Sequence, residues 1–266
     1  MFFIVRFNAK SDIKPYLWRE FNVKVMLVVL EGLDGAGKST QVRKLRKYLE
    51  TVCGTVDYIH FPRYDAPVYG NLVSRFLRGD YGDINTVHPQ LVALLYAEDR
   101  HQAAPGMKRE LAEGKTLLLD RYVYSNIAYQ CAKMKDERER EELREWILDT
   151  EYGHFGLPVP DLNIFLDVPI GFVEKKLTAA RSGHDRDYLE GGKDIHEADL
   201  GFQKSVRDVY RSQCRMDPRF VRVDCAGEDG GMLPPDDIFM RIKDVTDRAL
   251  GFQDRQNGIT DNRNGE

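Results

Sequence analysis

A doubly wound α/β fold, with helices on both faces of a central five-stranded parallel sheet, is what this sequence predicts. Three observations carry that prediction: five short apolar runs, longer helical patterns between them, and a glycine-rich turn joining the first run to the first helix. The runs are VMLVVLE at 25–31, VDYIHF at 56–61, TLLLD at 116–120, LNIFLDV at 162–168 and FVRVD at 220–224. Continuous apolar runs of this length suit strands buried on both faces of a parallel sheet. Their alternation with helices implies three layers.

In chain order, residues 1–24 precede the first strand and carry five basic and two acidic side chains. Three origins compete for them: a mis-assigned start with the true one at Met26, a family-specific extension, or an organelle presequence. Asp12 and Glu20 interrupt the acid-poor pattern of a presequence, so the first two outweigh the third. The first helix is expected over 38–51, after the glycine turn. Pro67 and Pro89 each stand where a first helical turn accepts a proline. Residues 135–146 alternate in sign at helical spacing, which marks a solvated helix face. Phe172, Val173 and Leu177 form a stripe on a helix expected over 170–181, and the following RSGHDRDYLEGGK reads as a mobile lid over about 181–195. From Gly251 onward apolar periodicity is lost, as in a flexible tail. One domain is expected over 25–250, without internal repeats or a second strand set.

Composition narrows the function. At 266 residues the chain can bury a full core without staples, and 42% hydrophobic with 31% charged residues describes an ordinary globular protein. The run at 25–30 is far shorter than the ~20 residues a membrane span needs. A net charge of -4 argues against a general nucleic-acid binder but not against a small basic pocket. Cys53, Cys131, Cys214 and Cys225 are scattered, with no C-x-x-C pair, which suits a reducing, cytoplasmic compartment. Nothing near them in sequence marks an activated thiolate. His196-Glu197 lacks the second histidine of a metalloprotease helix, and His184 reads as solvated.

The chemistry begins at Gly32-Leu33-Asp34-Gly35-Ala36-Gly37-Lys38-Ser39, which fits G-x-x-x-x-G-K-[ST] between a strand and a helix. Its glycines let the backbone wrap a phosphate, so that N–H groups and the helix N-terminus point at the anion. Gly32, Asp34, Gly35, Ala36, Gly37, Lys38, Ser39 and Thr40 are therefore the expected ATP-binding set. Lys38 bridges the β and γ phosphates and Ser39 ligates Mg²⁺ in such a loop. The guanine-reading [NT]-K-x-D segment of GTPases does not occur.

Asp120-Arg121-Tyr122 ends a predicted strand, where open α/β sheets place ligand groups. The carboxylate there suits a metal's water shell and the guanidinium suits a phosphate fork. Arg63 in FPRY, Arg100 in YAEDR, and Arg181 and Arg186 in the lid add cations. With a phosphate loop they suggest two anions held head to head, as in a nucleotide kinase. Another P-loop nucleotide or deoxynucleoside kinase, and a nucleotide-binding protein without catalysis, are the rival readings.

EGLDGAGKSTQ, FPRY, LLYAEDR, DRYVYSNIAYQ, LPVPDLNIFLDV and EADLGFQKSVRDVY, in this order, resemble the thymidylate kinase family over about 26–250. The resemblance implies a P-loop NTPase fold with a mobile lid, and transfer of the ATP γ-phosphoryl group to dTMP with Mg²⁺. It implies that Asp34 binds the acceptor's 3′-hydroxyl and lies near the metal with Ser39 and Asp120. Phe61 and Arg63 would line the acceptor site, Tyr96 would stack on thymine, Arg100 would donate to a base carbonyl and Asn126 would pair with the ring N–H. A uracil could make the same hydrogen bonds. Tyr129 would crowd the 2′ position and Arg121 would clamp the monophosphate. Because Gly35 and Ala36 leave the loop without an arginine, the lid would supply the transition-state charge, as in bacterial-type members. Arg186 would take that role and Arg181 would lie near the adenine. The resemblance also implies a homodimer built by helix packing.

Overall fold

The computed structural model describes residues 25–84, 86–178, 189, 194, 196 and 199–252. Its five strands are β1 (Leu27–Gly32), β2 (Val56–His60), β3 (Thr116–Asp120), β4 (Leu162–Asp167) and β5 (Phe220–Asp224). All pair in parallel, in the order β2-β3-β1-β4-β5. Each strand run read from the sequence is present: those at 116–120 and 220–224 match at both ends, and the other three shift by one or two residues.

The central strands are the continuously buried ones. Every residue of β1, β3 and β4 is buried, because each has a neighbouring strand on either side and helices on both faces. The outer strands β2 and β5 depart from that expectation: half-buried and exposed positions interrupt them, since a sheet edge has only one neighbour.

Among the described residues, eight α-helices complete the layers: α1 (Lys38–Cys53), α2 (Tyr69–Leu77), α3 (Pro89–Ala112), α4 (Val123–Cys131), α5 (Glu137–Leu148), α6 (Ile170–Thr178), α7 (Leu200–Met216) and α8 (Pro235–Leu250). Pro89 opens α3 as expected, whereas Pro67 stops short of α2, which starts two residues later at Tyr69. The charge run forms α5, capped by Asp136 and largely exposed outside Leu143 and Ile147. A π-helical turn, Asp149–His154, follows it. Helix α6 is described to Thr178 rather than to residue 181. Gly251 ends α8 in the left-handed conformation, and the tail lies outside the described residues beyond Phe252.

Strand order reverses direction at β1, which sits between β3 and β4. That reversal opens a crevice at the carboxyl ends of the strands, where such sheets bind ligands. Phe61 and Arg121 both enter it, held by strand-end hydrogen bonds: Phe61 N–H to the Asp120 carbonyl at 3.0 Å and Arg121 N–H to the Leu30 carbonyl at 2.9 Å. Cys53, Cys131 and Cys225 are free and buried, and Cys214 is free and half-buried. Burial pushes the Cys131, Cys214 and Cys225 thiols up to about 12, which agrees with inert packing residues. No described helix is long and apolar enough to cross a membrane.

Candidate functional site

The glycine turn has the geometry its sequence requires. Gly37 takes φ 81 immediately before α1, a left-handed conformation that a side chain would strain, and this turns the helix N-terminus toward the crevice. The Lys38 ammonium folds back onto the loop, 3.1 Å from the Leu33 carbonyl and 3.4 Å from that of Gly32. Burial, with Arg121 nearby, lowers its pKa to about 8, against the opposing pull of Asp120, Asp34 and Glu31. Ser39 is exposed in the first turn. Asp120 is buried at the end of β3, and its Oδ1 has no partner among the described residues. An unpaired buried carboxylate oxygen close to a phosphate loop suits a hydrated cation.

Asp34 organises the crevice. Its Oδ1 accepts from the Arg121 guanidinium at 2.6 Å, and its Oδ2 accepts from the Tyr129 hydroxyl at 2.7 Å and the Gln203 amide at 3.1 Å. Burial alone would raise the Asp34 carboxyl, but the charges of Arg121 and Lys38 outweigh it and hold the group well below the usual carboxylate range. Arg121 sits at φ 69, a conformation costly for a residue with a side chain. From there it reaches Asp34, the Ser125 hydroxyl at 3.3 Å and the Tyr129 hydroxyl at 3.2 Å, with its guanidinium 5.0 Å from the Tyr129 ring centre.

A cleft with an inner volume of about 70 Å³ extends from this centre. Asp34, Phe61, Tyr96, Arg100, Arg121, Asn126 and Tyr129 all line it, so seven side chains picked from the sequence meet in one cavity. Helical spacing explains the convergence: Tyr96 and Arg100 are four apart on α3, and Asn126 and Tyr129 are three apart on α4. Arg63 differs. It does not line the cleft, though Pro62 and Tyr64 on either side do, and its guanidinium is held by Asp99 at 2.9–3.0 Å.

The far wall rests on a residue the sequence reading missed. Glu151, fully buried in the π-helical turn, accepts from Arg100 Nε at 2.5 Å and Nη2 at 2.7 Å, and from Asn126 Nδ2 at 2.9 Å. Asn126 Nδ2 also donates to the Ala93 carbonyl at 2.9 Å. Two acceptors on one side fix which end of the amide is nitrogen, so Oδ1 is the oxygen, and it is buried without a partner among the described residues. Glu31 does comparable work at the α4 N-terminus. It accepts from the Tyr122 and Ser125 N–H groups at 2.9 and 3.1 Å and from the Ser125 and Tyr210 hydroxyls, while burial raises its carboxyl above the usual range.

Asp99 in LLYAEDR and Gln203 in EADLGFQKSVRDVY carry no local signal for the contacts that they make. Arg181 and Arg186 lie outside the described residues, as does most of 179–198, where only Leu189, Asp194 and His196 are described. Asp194 and His196 line the cleft. Among the described residues no group of three or more His, Cys, Asp or Glu side chains forms a protein-only metal site.

Comparison with known proteins gives a consistent result. The family model described as thymidylate kinase matches residues 30–228. The thymidylate kinase of Mycobacterium tuberculosis is 32% identical over 186 residues, covering 70% of this chain and 84% of its own. The human thymidylate kinase is 31% identical over 225 residues, covering 85% and 95%. The solved structure of the Candida albicans thymidylate kinase superposes with a TM-score of 0.64 at 26% identity, covering 85% of this chain and 94% of that one.

Proposed function

The chain belongs to the thymidylate kinase family, and from that premise we propose how its residues divide the work of transferring the ATP γ-phosphoryl group to dTMP. The unpaired Asn126 Oδ1 at the cleft wall is the observation that carries the assignment. An acceptor-only atom suits the ring N–H of a thymine, and Arg100, whose Nη1 is not part of the Glu151 fork, donates to the adjacent carbonyl. Tyr96 stacks on the base, and Phe61 packs beside it. Arg121 clamps the monophosphate and Asp34 takes the sugar 3′-hydroxyl. Arg63 acts at one remove from the acceptor phosphate, with Asp99 orienting it. Residues 25–250 form the catalytic domain.

ATP lies on residues 32–40, with Lys38 on its β and γ phosphates. Ser39 and the free oxygen of Asp120 hold the Mg²⁺ ion, with Asp34 nearby; when bound, the ion neutralises phosphate charge. The nucleophile is already a phosphate oxygen, so positioning and charge neutralisation suffice and no general base is needed. Arg186 supplies charge to the transferring group and Arg181 lies by the adenine. Coupled ADP release with Mg-ATP and dTMP tests the whole reading; absence of dTMP-dependent release overturns it.

Tyr129 excludes the 2′-hydroxyl of a ribonucleotide. Its hydroxyl also donates to Asp34, so two variants separate ring from hydroxyl. Tyr129→Ala is expected to raise activity on ribothymidine monophosphate relative to dTMP about tenfold, equivalent to ~1.4 kcal/mol, whereas Tyr129→Phe leaves the ratio unchanged. An unchanged ratio in the alanine variant assigns the exclusion elsewhere. The dimer belongs to the same reading. Leu91 and Leu94, three apart on α3, are 62% and 36% exposed, an apolar strip suited to helix packing. Sedimentation at twice the chain mass is expected, and a monomer at micromolar concentration contradicts it.

A further inference from the structure

His196 has no part in the account above, yet the residue is 4% exposed and lines the cleft. Three aromatic rings pack against it: Tyr129 at 5.2 Å, Phe202 at 5.5 Å and Phe76 at 5.6 Å between centroids. Its main chain is fixed at both polar groups. The N–H donates to Asp194 at 2.8 Å, and the carbonyl accepts from Gln203 Nε2 at 2.9 Å. The side chain is not: Nε2 is buried without a hydrogen-bond partner among the described residues. A buried imidazole nitrogen left unpaired costs free energy that a bound polar group can recover.

Position identifies that group. Gln203 Nε2 donates to both the His196 carbonyl and Asp34 Oδ2, and the His196 ring packs on Tyr129, which places His196 at the Asp34–Tyr129 corner of the cleft. Asp34 has little capacity left. Oδ2 accepts from Tyr129 and Gln203, Oδ1 accepts from Arg121, and a carboxylate offers about four lone-pair positions. A hydroxyl can donate to the remaining position, and its own oxygen then needs a donor. A neutral imidazole with its proton on Nε2 supplies one. Burial, reinforced by Lys133 and Arg121 against the pull of Asp34, holds the His196 ring well below the usual histidine range and therefore neutral. A neutral ring pairs with a hydroxyl better than with a phosphate.

We propose that His196 Nε2 hydrogen-bonds the 3′-hydroxyl of the acceptor sugar, so that this histidine and Asp34 together select a nucleotide with an intact 3′ end. The proposal rests on the acceptor site described under Proposed function. His196→Phe keeps a ring against Tyr129, Phe202 and Phe76 and removes only the polar edge. With dTMP, its KM is expected to rise about 5–10-fold, the loss of one hydrogen bond, with kcat little changed. With 2′,3′-dideoxythymidine monophosphate, wild type and variant should give the same KM. His196→Gln, which retains a polar atom, should recover part of the dTMP affinity.

An equal loss on both acceptors makes His196 a packing residue and overturns the proposal, as does an unchanged KM for dTMP. A readout on the wild-type protein does not depend on any variant folding: the ¹⁵N shift of the His196 imidazole should move on adding dTMP and stay put with the dideoxy analogue. Identical shifts with the two ligands overturn the proposal. Wild-type protein without dTMP turnover refutes the acceptor reading itself, a distinct outcome.

Discussion

Lys38→Ala is expected to lower kcat by at least about 10³-fold, the scale on which removing a charge-supplying cation slows phosphoryl transfer. The transferring group spreads negative charge over its equatorial oxygens, and Lys38 is the only lysine of the 32–40 loop. Its ammonium costs the free protein something to hold: burial lowers its pKa to about 8, and its hydrogen bonds to the Gly32 and Leu33 carbonyls are long, at 3.4 and 3.1 Å. Deleting the side chain should therefore change folding stability by less than about 1 kcal/mol, the net worth of such hydrogen bonds. Single-turnover ADP formation beside a denaturant melt checks both halves. A rate within tenfold of wild type would remove Lys38 from the phosphates, and a collapsed melt would make its role structural.

Glu151→Ala should do the reverse, striking stability first. The Arg100 and Glu151 side chains are 2% and 0% exposed, so the truncation leaves a guanidinium buried without its counter-charge. Breaking a buried pair from one side costs about 3–5 kcal/mol, which for a chain of this size lowers Tm by roughly 10 °C. Asn126 loses one of the two acceptors that fix its amide, so KM for dTMP should rise in whatever fraction remains folded. Glu151→Gln keeps one acceptor oxygen and should fall between. A Tm within 2 °C of wild type in the alanine variant would mean that solvent or another carboxylate compensates Arg100, contrary to the packing described.

What could be read from the sequence divides by distance along the chain. The five strands were legible because burial inside a sheet favours apolar runs, and β1, β3 and β4 are buried at every position, with Glu31, Thr116, Asp120, Asn163 and Asp167 as their polar residues. The edge strands were legible in position only, since their partial exposure follows from strand order, which no local pattern encodes. The glycine turn and the Asp120-Arg121 strand end were readable as chemistry because each is contiguous. Resemblance to a family, rather than spacing, supplied Tyr96, Asn126 and Tyr129 and the base-reading role of Arg100, and the cleft contains all four.

Glu151 was not legible by either route. It lies 51 positions from Arg100, in a π-helical turn without a short motif, and its role exists only after α3, α4 and that turn pack. Gln203 is comparable: 169 positions separate it from Asp34, and only the fold reveals that it links the phosphate loop to the His196 main chain. Asp99 sat beside Arg100 in a recognised segment, but the adjacency that hid it is what aims it differently. Successive helical residues point about 100° apart, so Asp99 turns to Arg63 while Arg100 faces the cleft.

The central claim is that the cleft reads a pyrimidine carrying a ring N–H, through the unpaired Oδ1 of Asn126 beside Arg100. The ratio of kcat/KM for dTMP to that for dCMP tests it most directly. Cytosine places an acceptor where thymine has the N–H and an amino donor where Arg100 seeks a carbonyl, so both contacts fail together. Sites built around such hydrogen bonds reject a mismatched partner by roughly 10⁴-fold, and a preference for dTMP of that order is predicted. Comparable turnover of the two nucleotides would contradict the assignment of Asn126 and Arg100 as the base-reading pair.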